Sequence, residues 1–101
     1  MVTFDVKSNN GRDIWLEALV PVSGEDAIQR KADAERAVRC TLEAAAEAFP
    51  RYWPRHLCDW CRIESVKPRG GVVEIVVRMP VPMGRYVLAL PHAEAVQEAA
   101  L

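Results

Sequence analysis

The chain has 101 residues, half of them apolar and 27% charged, with 13 basic against 14 acidic side chains and a net charge of −1. That is one ordinary globular domain, too short for two independent cores and too apolar for a disordered segment. The balanced charge argues against bulk attraction to nucleic acid or membranes, no apolar run is long enough to cross a bilayer, and the first five residues lack the character of a secretory leader.

The first predicted element is a β-hairpin. Val2, Phe4 and Val6 alternate with polar residues, and Ile14, Leu16, Ala18, Val20 and Val22 alternate with Trp15, Glu17, Leu19 and Pro21, the period of half-buried strands. A three-residue loop, Asn9, Asn10 and Gly11, with Gly11 left-handed, sets Phe4 opposite Leu16, Val6 opposite Ile14 and Lys7 opposite Asp13. A two-residue turn would instead oppose Phe4 to Glu17, so the three-residue loop is the expectation.

A long helix follows over 24–49. Ser23 with Asp26 forms a capping-box-like start, and Pro50 stops the helix because it lacks an N–H and its ring clashes with the preceding turn. Ile28, Val38, Leu42, Ala45 and Phe49 make one stripe with Ala34, Ala37, Ala44 and Ala48 beside it. So many alanines predict close approach to a sheet.

A second hairpin is expected from strands over 57–67 and 72–79 with a turn over 68–71. Its expected register puts Ile63 opposite Ile75 and Cys61 opposite Val77, and it accepts Glu64 opposite Glu74. Residues 85–90 read as a fifth short strand, and Pro91 suits the first turn of a helix over 92–100. The order ββ-α-βββ-α defines an α+β two-layer sandwich: an antiparallel sheet of four or five strands with the long helix on one face. Alternation alone leaves the strand order open.

Charge is uneven along this single domain, net −3 over residues 1–49 and +4 over 50–90. Within the basic part, Arg51, Tyr52, Trp53 and Arg55 mix aromatics with cations, a combination that can stack on bases and touch phosphates. A loop capping the sheet explains it equally simply. His56, Cys58 and Cys61 have the spacing of a partial zinc site without a second ligand pair, so no metal or other cofactor is expected. No nucleophile elbow, phosphate loop, dinucleotide fingerprint or zinc-protease helix is present, which weighs against an enzyme.

The more informative surface is the sheet face turned away from the long helix. Alternation puts Trp15, Leu19, Trp60 and Val76 there, among Arg62 and Arg78 and charges of the opposite sign. Aromatic anchors within a polar surround are the composition of a protein–protein patch. Three cysteines, an odd number, fit a reducing cytosol. The expectation is a small cytoplasmic, non-enzymatic binding protein working through its sheet face or edge on a protein partner or on itself as a homodimer. Phages and mobile elements encode such domains as inhibitors or adaptors. The alternatives are a nucleic-acid-associated protein using residues 51–56 and a small zinc protein or enzyme.

Overall fold

A computed structural model describes residues 2–48 and 61–100, and for 91–100 the helical backbone alone. The elements are β1 (Asp5–Asn9), β2 (Asp13–Pro21), α1 (Ala27–Ala48), β3 (Arg62–Arg69), β4 (Val72–Pro80) and α2 (Val81–Ala100). The four strands form one antiparallel sheet in the order β1-β2-β4-β3, and both helices pack on the same face of it. This is a two-layer α+β sandwich.

The centre of the sheet is the pairing of β2 with β4, nine residue pairs from Asp13↔Pro80 to Pro21↔Val72. Ile14, Leu16, Ala18 and Val20 share a face with Val73, Ile75, Val77 and Met79, and all eight are buried. Alternation assigned that inner face correctly. Hydrogen bonds extend the ladder at both ends, Val22 N–H donating to Gly71 O (2.9 Å) and Val81 N–H to Arg12 O (3.0 Å).

Both edge strands depart from the expected registers, and each does so through a bulge. In β1 the pairs are Asp5↔Glu17 and Val6↔Leu16, then Ser8↔Trp15 and Asn9↔Ile14, with Lys7 the extra residue. Val6 therefore faces Leu16 rather than Ile14, and Lys7 does not face Asp13. The turn explains the shift. Asn10 Oδ1 accepts from the N–H groups of Arg12 (2.9 Å) and Asp13 (2.7 Å), and Asn9 Oδ1 accepts from Gly11 N–H (2.8 Å). These side-chain bonds move the reversal to residues 10–12, and the bulge absorbs the offset. Gly11 does take the expected positive φ, 88°. In β3, Glu64 is bulged, so Ile63 faces Val77 and Val66 faces Ile75. Glu74 meets Lys67 instead of Glu64, which replaces a like-charge pair by a favourable one. Gly70 and Gly71 make the turn alone, Gly70 at φ 65°, and Pro68 is accommodated because β3 is an edge strand.

α1 begins later than expected. Its N-cap is Asp26, whose Oδ1 accepts from Gln29 N–H at 2.7 Å, not Ser23. The inward stripe is Ala34, Val38, Thr41 and Ala45, with Ile28 left 82% exposed. Alanine does bring the helix close to the sheet, as expected. Buried Thr41 donates to Ala37 O (3.0 Å), and its Oγ1 accepts from Val2 N–H (3.1 Å), which ties the N-terminal segment to the helix. The expected stop at Pro50 and the expected strand start over 57–60 lie outside the described residues.

The fifth strand is not there, so the element order is ββ-α-ββ-α. Residues 85–90 lie inside α2, which leaves β4 without a loop and runs through both Pro82 and Pro91. Pro82 falls in the first turn, where its missing N–H has no helical partner to lose, while Pro91 cannot donate to the carbonyl of Val87. Burial of Val81, Gly84, Val87 and Leu90 at every third position shows the helical period that outweighed alternation over 85–90. Gly84 is the contact point of α2 with β2, because a Cβ there would run into Cγ2 of Ile14.

Gly84→Ala should therefore destabilise the protein by about 1–3 kcal/mol, despite the better helix propensity of alanine. The cost should shrink in an Ile14→Ala background, measured by a double-mutant cycle of denaturant melts. A helix that does not sit on Ile14 would give two additive effects.

Candidate functional site

Among the described residues neither helix packs on the other sheet face, which is built in rows running across β1, β2, β4 and β3. One row is Ser8, Trp15, Arg78 and Arg62, and the next Asp5, Glu17, Val76 and Ser65. A third carries Leu19, Glu74 and Lys67, and the last Pro21, Val72 and Arg69. Directly opposed residues in an antiparallel sheet share a face, so strand pairing alone places all of these together.

Of the residues expected on this face, Trp15, Leu19, Arg62, Val76 and Arg78 are brought together on it. Leu19 is 65% exposed, Trp15 half-buried and Arg62 exposed, whereas Val76 is only 5% exposed and forms the floor between Glu17 and Ser65. Trp60 lies outside the described residues, as do Arg51, Tyr52, Trp53, Arg55, His56 and Cys58. Cys61 precedes β3, is half-buried and packs against the core on the helix side. Among the described residues no three His, Cys, Asp or Glu side chains are grouped to hold a metal ion.

Arg78 organises one end of the face. It donates to Asp13 Oδ2 from Nη2 (2.7 Å) and Nε (3.2 Å), and its Nη1 lies 3.9 Å from Glu64 Oε1. The carboxylates raise the pKa of its guanidinium further, Asp13 contributing most. The same guanidinium lies over the Trp15 ring, 5.3 Å from its centroid. Trp15 is thus held in place by a cation on one side and still offers area to a partner.

At the middle of the face Glu17 and Glu74 are diagonal neighbours across β2 and β4. They share a hydrogen bond that raises the pKa of Glu17 and lowers that of Glu74, while Lys7 pulls both down. Arg69 Nε at 2.8 Å from Glu74 Oε2 also favours the ionised Glu74. The two carboxyls are coupled and titrate as a pair.

Asp5 and Lys67 are the residues of this face that sequence reasoning did not name, whereas Asp13, Glu17 and Glu74 were expected on it without their partners. Alternation puts each on this face, but their partners are set by the β2–β4 pairing, which the strand order had to supply. A shallow groove of about 610 Å³ runs between the end of β2 and α1, lined by Val2, Leu19, Pro21, Ala37 and exposed Cys40 among others. Its lining carries no acid–base pair. Comparison of the chain with protein-family models, with curated proteins and with solved structures gives no match in any of the three.

Arg78→Ala should lower stability only modestly, because the ion pair is exposed to solvent screening and the cation–π contact is weak. Arg78→Lys should recover only part of this, since an ammonium cannot reproduce the guanidinium fork. Thermal melts of both variants check it, and equal stability of Lys and Arg would contradict the fork geometry.

The acid pair predicts a pH dependence. The raised pKa of Glu17 stabilises fully below its ordinary value of 4.5, and this stabilisation is lost as pH rises through the raised value. The lowered pKa of Glu74 stabilises above 4.5 and is lost as pH falls through the lowered value. Glu17→Gln keeps a donor for Glu74 at every pH. Its stability relative to wild type should rise as pH climbs from 4.5 toward neutrality, measured by melts across pH. A flat difference would exclude the coupling of the two carboxyls.

Proposed function

We propose that this is a non-enzymatic binding protein that docks a protein partner on the uncovered sheet face, with Trp15 and Leu19 as its apolar anchors. The observation that carries the reading is Leu19, 65% exposed and on the same strand face as half-buried Trp15 with Glu17 between them, a face to which neither described helix is packed. Large apolar side chains with fixed geometry among charges of both signs are what interface centres and rims are made of. Arg78 and Arg62 supply the charged part of the contact, and Val76 the floor beneath it.

The role that suits such a domain is that of an inhibitor or adaptor, of the sort phages and mobile elements encode. It works in the cytoplasm, where the exposed Cys40 thiol stays reduced. No described helix is long and apolar enough to cross a membrane, which is compatible with this location.

The test uses tagged full-length protein as bait in extract of the source cell, with Leu19→Asp and Trp15→Ala as controls. A captured protein is then purified and titrated against all three. The expected result is at least about a tenfold loss of affinity in each variant, with folding changed far less than binding. Variants that bind as wild type does, or that unfold outright, would remove the uncovered face from consideration.

A further inference from the structure

The charges of the uncovered face are segregated by strand. Asp5, Asp13 and Glu17 stand on β1 and β2 against Lys7, whereas Arg62, Lys67 and Arg69 stand on β3 against Glu64. β4 carries one of each sign, Glu74 and Arg78. Ion pairs within the face use up Asp13 with Arg78 and Glu74 with Arg69. Lys67 also faces Glu74, and Lys7 and Glu64 each offset one charge of their own side, so the face keeps an acidic excess at the β1–β2 side, with Asp5 and Glu17, and a basic excess at the β3 side, with Arg62 and Lys67.

Each side also contains a like-charge pair directly opposed across neighbouring strands, Asp5↔Glu17 on the acidic side and Arg62↔Arg78 on the basic side. Such pairs weaken an isolated sheet. Opposite charge brought within side-chain reach of each pair would offset that repulsion.

We infer that the partner of this face is a second copy of the same chain, stacked face to face about a two-fold axis that runs parallel to the strands. This rests on the docking reading and names its occupant. Rotation about that axis lays β1-β2-β4-β3 of one copy over β3-β4-β2-β1 of the other. The Asp5–Glu17 side then meets the partner copy's basic side, twice over, in an isologous interface. β2 lies over β4, so Trp15 and Leu19 are set against the partner copy's β4. The other in-plane two-fold lays every strand on its own copy, acid on acid and base on base, and is disfavoured for that reason. Edge-to-edge pairing is disfavoured as well, because both edge strands carry a bulge and β3 carries Pro68. At standard strand spacing and rise the face measures about 19 by 30 Å, on the order of size that an interface of roughly 800 Å² per partner requires.

The experiment is sedimentation of the full chain at low and high salt, with a pair of charge-reversed variants. One variant, Asp5→Lys with Glu17→Lys, makes both sides basic. The other, Arg62→Glu with Lys67→Glu, makes both sides acidic. Wild type should sediment as a dimer, twice 11.3 kDa, and shift toward monomer at high salt. Each variant alone should lose self-association by at least about tenfold, and an equimolar mixture of the two should form the mixed dimer. Leu19→Asp, at an exposed position, should also be monomeric and guards against a reversal that fails to fold. Wild type that stays monomeric throughout overturns the second-copy inference and leaves the docking reading to its own capture test. A dimer indifferent to all three variants, a dimer lost only in Leu19→Asp, or folded variants that do not associate when mixed would each overturn the proposed orientation.

Discussion

The antiparallel ladder between β2 and β4 is the constraint on which the rest of the molecule depends. Nine residue pairs hold the two central strands in one register, and hydrogen bonds from Val22 and Val81 continue it at either end. Because side chains alternate strictly, that single register decides which eight apolar residues face inward and which polar ones face out. A slip of β2 by one residue would bury Trp15 and Glu17 and expose Leu16 and Val20. No such slip is tolerable while one face is apolar.

Both helices follow from this ladder. α1 lies close because its inward positions are alanine, valine and a threonine whose hydroxyl is satisfied by Ala37 and by Val2. α2 has no freedom of approach: it starts where β4 ends, its first N–H is bonded to Arg12, and Gly84 lets it rest on Ile14. Both described helices occupy one side. On the other, local pairs, Arg78 with Asp13 and Trp15, and Arg69 with Glu74, surround the buried Val76.

The same alternation that builds the core thus also builds the candidate docking surface. Trp15 and Leu19 lie on β2 one residue away from Ile14, Leu16 and Val20, so the anchors are rigid because the strand beneath them is the most constrained in the fold. A rigid aromatic loses little freedom on binding, which favours its use as an anchor. The coupled carboxyls of Glu17 and Glu74 lie on this face beside the anchors. Electrostatics there respond to pH as well as to a partner's charge.

The sequence by itself determined the two-layer class, the inner faces of β2 and β4, the long alanine-rich helix and the left-handed glycine of the first turn. These depend on local periodicity and on backbone preferences, which a single strand or helix carries within itself. Trp15, Leu19, Arg62 and Arg78 were legible as one face for the same reason. Tertiary structure alone decided the strand order, the bulges at Lys7 and Glu64, and the helical state of residues 85–90. A bulge shifts register at small local cost, so alternation cannot forbid it. Arg78 meets Asp13 across a separation of 65 residues, a partnership fixed only when β2 and β4 close the middle of the sheet. The segment over 85–90 alternates well enough for a strand, but packing of Val81, Gly84, Val87 and Leu90 against the finished sheet outweighs that local preference.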